Sequence, residues 1–559
     1  MIKTPKGSLT GPDPGAPDLA AAAARPGFKT KRRVFAKHYF VRATSIGCAF
    51  LLTSGCAMVG PDFETPEAAV AETWIESAMV RSESVEHREW WKNFNDPALD
   101  TLINMAYEQN LTLQIAGLRV HEARAILGRA AGRLYPQVQR AGASADRIEI
   151  SENAEPVSNL PPAVGSLVDT SVETYRLNLD AAWELDFWGR FRRGVESADA
   201  NLAATIATYD DFLVTLTGEV ASAYVLLRTL QERLSVAKSN VAIQERSLEI
   251  AEVRFRNGLV TELDVQLART LLGNTKAIIP TLETGIRQTK LALSLLLGMP
   301  PADLRDILGG SEAIPMTPES VAVGIPADLL RRRPDIRRSE LQAAAQSARI
   351  GIAQADLYPA FRLIGTIGYA ADGTGDLLDS DSFFGLGSFG FNWKFLNYGR
   401  LRNNVRIQDA RFQQLVAAYQ NTVLNAAREV EDGLVSFVGA REQVTYLTDS
   451  VDASRRAADL AQTQYRDGII SYTLVLDAQQ FLLLNEDQLT SARGKVARSM
   501  IATYKALGGG WQIREGKPFI PEKVRATMGE RTNWGELLQP AAVVPVPTDQ
   551  RGSWRAPDQ

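Results

Sequence analysis

The residue types that carry covalent and metal chemistry are scarce in this chain. There are two cysteines, Cys48 and Cys56, and three histidines, His38, His87 and His121. Both cysteines lie near the N-terminus, so no disulfide framework is expected in the body. The histidines are scattered, whereas a zinc site gathers several clustered ligands; packed or surface roles are expected of them, and no metal or cofactor. No GxSxG elbow, P-loop or HExxH helix occurs. The chain therefore reads as a non-enzyme.

The N-terminus reads as an address. Residues 1–55 hold nine basic residues against two acidic ones. A basic stretch over 29–42 precedes an apolar run over 43–52. Spanning a bilayer takes roughly 20 apolar residues, so the run has the length of a signal-peptide core instead. It ends in Leu51-Leu52-Thr53-Ser54-Gly55-Cys56. Small residues before a cysteine resemble the lipobox of bacterial lipoproteins, with Thr53 where that pattern carries leucine. The resemblance implies acylation of the Cys56 thiol and of the new N-terminus, a multi-chain anchor that holds stably. Ala57 in place of aspartate resembles the signal for release to the outer membrane. The other reading is an ordinary secretory signal with an incidental Cys56. Residues 1–55 are thus read as a signal peptide with an N-terminal extension, and 56–98 as a lipid-anchored segment. Beyond residue 55 the chain carries 52 basic and 63 acidic residues, a net of −11. Nucleic acid, whose phosphates need a basic face, is not an expected partner.

The body is duplicated. Leu134-Tyr135-Pro136 recurs as Leu357-Tyr358-Pro359, an offset of 223. Trp183…Phe187-Trp188-Gly189-Arg190 recurs as Trp393…Asn397-Tyr398-Gly399-Arg400, an offset of 210. Arg254-Phe255-Arg256-Asn257-Gly258 and Leu297-Gly298 recur at that same offset, as Gln464-Tyr465-Arg466-Asp467-Gly468 and Leu507-Gly508. The change of offset puts the length difference between the two copies in one loop region, where insertions are tolerated. Residues 99–311 form the first repeat and 312–511 the second, each a helix–strand–strand–helix–helix unit. Residues 64–95 and 512–559 have no repeat partner, and 512–559, rich in Pro, Gly and charge, is expected to be an irregular tail.

Each unit opens with a helical stretch, 99–133 and 334–356, which the proline of the LYP motif ends. Clear alternation follows. Tyr175, Leu177, Leu179, Ala181, Trp183, Leu185 and Phe187 interleave with Thr174, Arg176, Asn178, Asp180, Ala182, Glu184 and Asp186, a face almost wholly polar or charged. The second copy alternates Phe389, Phe391, Trp393 and Phe395 with Ser388, Gly390, Asn392 and Lys394. Phe361, Leu363, Ile367 and Tyr369 mark its preceding strand, and 138–150 the matching strand of the first copy. Such alternation fits either a transmembrane barrel strand or a half-buried strand of a soluble sheet. Under the barrel reading, four strands cannot close alone, since bacterial barrels have about eight or more. Unpaired edges in lipid are prohibitive, so the barrel must be shared between chains. Residues 189–258 and 400–467 contain no proline; as continuous helices each extends on the order of 100 Å. Each stops at a glycine, Gly258 or Gly468, and a second helix returns, making coiled-coil-like hairpins.

Taken together, these features resemble the TolC family of outer-membrane efflux channels, in its lipid-modified branch serving resistance-nodulation-division (RND) drug pumps. The carriers are the lipobox with Val59-Gly60-Pro61-Asp62-Phe63, the segment LLRRRPDI at 329–336, Tyr465-Arg466-Asp467-Gly468 leading to Leu476-Asp477-Ala478-Gln479, and the terminal YKALGGGW at 504–511. The resemblance implies an α+β membrane protein: a trimeric 12-stranded β-barrel, four strands per chain, continued by a long α-helical periplasmic barrel. It implies a homotrimer in outer-membrane lipid, with a periplasmic adaptor protein and an inner-membrane RND transporter as partners. On this pattern Asp477 belongs to a periplasmic carboxylate constriction, made more apolar by Leu474, while Tyr465 and Arg466 network the closed tip. Adaptor contact falls on Asn257, Gly258, Thr261, Asp264, Asp467, Gly468 and Ser471. Without the resemblance Asp477 is an exposed helix charge, and LLRRRPDI is a structural helix start. The competing reading of the whole chain is a periplasmic coiled-coil adaptor or scaffold lipoprotein, which would carry one hairpin flanked by small β domains.

Overall fold

The computed structural model describes residues 58–539 apart from 76–79, 82–87, 152–154, 156, 160, 162–163, 165–168, 310–312, 319–320, 323–325 and 329–331. Cys48, Cys56, His38 and His87, and the first three residues of LLRRRPDI, lie outside the described residues. In chain order the elements are β1 (Val80–Arg81), α1 (Pro97–Gln109), α2 (Leu111–Gly132), β2 (Val138–Glu149), β3 (Ser171–Leu185), α3 (Arg190–Arg256), α4 (Glu262–Leu296), the single turn α5 (Arg305–Leu308), β4 (Val321–Ala322), α6 (Pro334–Ala355), β5 (Ala360–Ala371), β6 (Phe383–Asn392), α7 (Arg400–Arg466), α8 (Tyr472–Ala506) and α9 (Glu522–Arg531).

The duplication is plain in the element lengths. The helices α2 and α6 have 22 residues each, α3 and α7 have 67 each, and α4 and α8 have 35 each. The length difference falls in the hairpin connections, 150–170 against 372–382. Two of the recurrent motifs bond to each other in both copies. In the first copy the Trp183 indole donates to the Leu134 carbonyl at 3.1 Å; in the second, Trp393 donates to Leu357 at 3.0 Å. Each LYP break thus leaves a carbonyl that a returning tryptophan satisfies.

Three expectations are corrected. The stretch over 99–133 is two helices, because Asn110 takes an extended backbone and caps the second, accepting from the Leu113 N–H at 2.8 Å. Its amide also donates to the Leu296 carbonyl at 2.8 Å, a tertiary bond that holds the break open. Phe187, Trp393 and Phe395 fall outside the strands, which end at Leu185 and Asn392. Nor is the tail irregular throughout: 511–514 and 535–538 form 3-10 turns and 522–531 forms α9.

The strands β2-β3-β5-β6 make one antiparallel sheet in that order. Register puts Leu177, Leu179, Leu363, Ile367, Phe389 and Phe391 on one face, all exposed. On the opposite face Thr366 donates to Asp180 at 2.8 Å and Arg362 bonds Glu184 at 3.0 Å. The outer edges of β2 and β6 pair with no strand among the described residues. Away from the sheet, β1 and β4 form a short parallel pair.

The main core surrounds the sheet-proximal half of α3. Trp90 and Trp91, from the segment without a repeat partner, are buried there; Trp90 stacks on Tyr504 at 5.4 Å. The tail closes the same core. Phe519 meets Tyr209 edge-on at 5.1 Å, and Arg514 pairs with Asp210, which is fully buried in α3. His121, buried on α2, places Nδ1 3.1 Å from the Leu537 carbonyl. Burial pushes the Asp210 carboxyl upward, opposed by Arg514. Removing one partner of a buried pair costs about 3–5 kcal/mol. Arg514→Ala should therefore lower the urea midpoint of the full-length protein clearly, with Asp210→Leu/Arg514→Met restoring most of the loss; a single variant that unfolds with its parent refutes this role.

Candidate functional site

The site is built at the far ends of the helical hairpins, away from the sheet. The helices α3 and α7 both stop where a glycine adopts the left-handed conformation, at Gly258 (φ +72°) and Gly468 (φ +78°). A side chain there would strain the backbone. In each copy the following N–H folds back onto the helix end, Leu259 to Arg254 and Ile469 to Gln464, both near 2.9 Å. The chain then turns into α4 and α8.

The two tips of one chain pack on each other through a small apolar cluster separate from the main core. Ala251, Val265 and Ala268 of the first hairpin meet Tyr465, Tyr472 and Val475 of the second. Tyr465 is only 2% exposed, although it sits one residue from the end of α7. Its ring lies edge-on to Tyr472 at 5.2 Å, and its hydroxyl donates to Asp264 Oδ2 at 3.1 Å. Arg254 covers the other side, its guanidinium 4.9 Å from the Tyr465 ring centroid. The same guanidinium donates to the carbonyls of Tyr465 (2.7 Å) and Arg466 (2.8 Å). These are among the last carbonyls of α7, where the helix dipole presents partial negative charge and a cation is stabilising. Burial, followed by the adjacent Asp264 charge, pushes the Tyr465 phenol upward. It stays protonated and keeps donating across the physiological range.

The residues expected from sequence are not all brought together. Tyr465 and Asp264 are brought together, with Asp264 serving as the acceptor for the phenol. Arg466 enters through its backbone carbonyl, while its side chain is exposed beside Asp467, Nε–Oδ1 3.5 Å. Asn257, Gly258, Thr261, Asp467, Gly468 and Ser471 form the exposed turns. Asp477 and Leu474 stand outside the network, exposed on one stripe of α8 that continues to Phe481 and Leu484. Sequence reasoning missed Arg254, Tyr472 and Ser247, whose hydroxyl lies 3.4 Å from that of Tyr472. A signal for Arg254 was present in the repeat itself. At the 210 offset Arg254 aligns with Gln464, Asp264 with Leu474, and Tyr465 with Phe255, which is 43% exposed. The two tips share a backbone frame and differ at the residues that join them.

Comparison with known proteins places this geometry. The model of the family described as outer membrane efflux protein matches residues 102–299 and 325–509, one stretch in each repeat. The pyoverdine export outer membrane protein OpmQ of Pseudomonas putida is 32% identical over 439 residues, covering 78% of this chain and 92% of that protein. The toluene efflux pump outer membrane protein TtgI of Pseudomonas putida is 32% identical over 482 residues, 84% of this chain and 98% of that protein. Among solved structures, the outer-membrane channel OprN superposes with a TM-score of 0.75 at 33% identity, covering 81% of this chain and 99% of that one. With both copies of its duplicated frame matched, the chain belongs to the outer membrane efflux protein family.

Proposed function

We propose that this chain is one third of a passive export duct: a lipid-anchored homotrimeric channel of the outer membrane that receives drugs or other small molecules from an inner-membrane RND transporter through a periplasmic adaptor. The observation that carries it is the four-stranded sheet, with exposed leucines, isoleucine and phenylalanines on one face, the Asp180–Thr366 and Glu184–Arg362 bonds on the other, and both outer edges unpaired among the described residues. Three copies joined β6 to β2 give a closed 12-stranded barrel in which every edge is satisfied.

The helices support the same ring. Within the chain α6 packs against both α3 and α7, whereas its repeat counterpart α2 packs against α3 without a comparable α7 contact. Leu111, Ile115 and Ile126 of α2 are left exposed. The α7 of the next copy completes that surface, as duplication requires. A coiled-coil adaptor, the competing reading, would carry one hairpin; here there are two on a shared sheet. The anchor is assigned to Cys56.

The tip contacts form the closed latch. Tyr465 to Asp264 and Arg254 to the end of α7 tie the second hairpin to the first, and Asp477 from three chains forms the constriction. Carboxylates brought close repel, so a ring of them favours cations and is relieved by opening. The adaptor engages the exposed turns at Asn257–Thr261 and Asp467–Ser471. A bond to a charged acceptor contributes about 1.5–3 kcal/mol, and 1.4 kcal/mol is a factor of ten. Tyr465→Phe should thus raise the open fraction in planar bilayers by roughly ten- to a hundredfold; a wild-type opening record would exclude the latch. Asp477→Ala should weaken cation selectivity, and unchanged reversal potentials would remove it from the constriction. The overall reading predicts a heat-modifiable trimer in outer-membrane extracts and, on deletion of the gene, sensitivity to some members of a compound panel. A monomeric soluble species, or an unchanged panel, would overturn it.

A further inference from the structure

Residues 58–62, which carry most of the VGPDF motif, are wedged between the first turn of α3 and the last turns of α6. The Val59 N–H donates to the Trp188 carbonyl at 3.1 Å. From α3, Arg193 reaches over the segment and is only 1% exposed. Its Nε donates to the Val59 carbonyl (3.2 Å), and its Nη2 to the Gly60 carbonyl (3.1 Å) and Asp62 Oδ1 (2.8 Å). Nη1 is held by Glu196 at 2.8 Å. Only a planar fork with several fixed donors can satisfy this set; a lysine cannot.

Two glycines make the close approach possible. Gly60 has φ +101°, and a Cβ on it would lie 2.4 Å from the Gly351 Cα; a Cβ on Gly351 would lie 2.9 Å from Arg193 and from the Val59 carbonyl. Upstream, the Met58 side chain rests on Gly189, where a Cβ would meet it at 2.5 Å. The wedge lies at the foot of the sheet among aromatic rings. Trp188 stacks on Tyr358 at 4.6 Å and meets Phe187 at 5.0 Å, and Phe187 lies 5.5 Å from Phe361. Aromatic girdles of this kind sit at the membrane–water boundary of barrels. Cys56 precedes Met58 by two residues, a reach of at most about 7 Å.

We propose that Arg193, with Gly60 and Gly351, forms a seat that fixes residues 58–62, so that acyl chains on Cys56 enter the periplasm-facing leaflet beside Trp188 and Tyr358 rather than from the end of a loose tether. The inference rests on the lipid-anchor reading given above. A fixed seat couples the acyl chains rigidly to the sheet and sets the height of its apolar band in the bilayer.

The test uses the full-length protein in phosphatidylethanolamine–phosphatidylglycerol vesicles, with a nitroxide at Glu64→Cys. The parent is compared with Arg193→Met and with Gly60→Val, which dislodges the segment without altering any charge on α3. Mass spectrometry of the N-terminal peptide reports acylation, and the nitroxide reports mobility and depth. The seat predicts acylated Cys56 in all three proteins, with unchanged heat resistance of the assembly. It predicts an immobile label at one depth in the parent, and motion faster by roughly tenfold, over a spread of depths, in both variants. Acylated protein with the same spectra in all three overturns the seat while the anchor stands. A parent peptide without acyl mass overturns the anchor, and the seat with it.

Discussion

A β-strand in hydrocarbon must have both sides of its backbone paired, because no water is there to take the unused donors and acceptors. The larger sheet of this chain has four strands, and among the described residues its two outer edges are open. Everything else in the proposed channel follows from how those edges are closed. Closing them with copies of the same chain places three sets of helices in a ring, and the duplication then makes contacts within a chain and between chains nearly equivalent. The position of α6 between α3 and α7 is a template for where α2 must lie in the assembly.

Duplication also explains how two tips built on one frame come to fit each other. Both tips use the same glycine stop and the same backbone return. Between them the sequence has diverged at most positions, and the joining residues are among those that differ: Arg254 and Asp264 on one tip, Tyr465 on the other. One tip supplies charge and the other supplies an aromatic ring and a set of carbonyls. Had the copies stayed identical, neither tip would have had a complementary partner within the chain.

The features legible in the sequence are those set by local physics. Period-two alternation marked β3 and β6 because large apolar side chains recur there at every second position, and long runs free of proline between glycines marked α3 and α7. Repetition gave the rest of the frame. What escaped reading depends on partners distant in the chain. Asn110 is a residue type favoured at helix starts, but the break is secured by the Leu296 carbonyl, 186 residues away. The tail looked irregular because the group that orders it, Asp210, lies 304 residues before Arg514. Arg254 was visible only as a mismatch inside a repeat, and its target is a pair of backbone carbonyls that no side-chain pattern encodes.

The paired indole bonds, Trp183 to Leu134 and Trp393 to Leu357, have a mechanical meaning. They fasten the end of one helix to the end of a strand in each copy, so the sheet and the helical wall meet without a slack joint. From that junction α3 and α7 run as unbroken 67-residue levers. At a length of about 100 Å, a rotation of one degree sweeps the far end through nearly 2 Å. A hydrogen bond is lost when stretched by about half an ångström. In the proposed channel the tips would therefore read the barrel end as a vernier scale does: a rotation of α7 relative to the first hairpin by a fraction of a degree at the sheet would stretch the Tyr465–Asp264 bond past its limit.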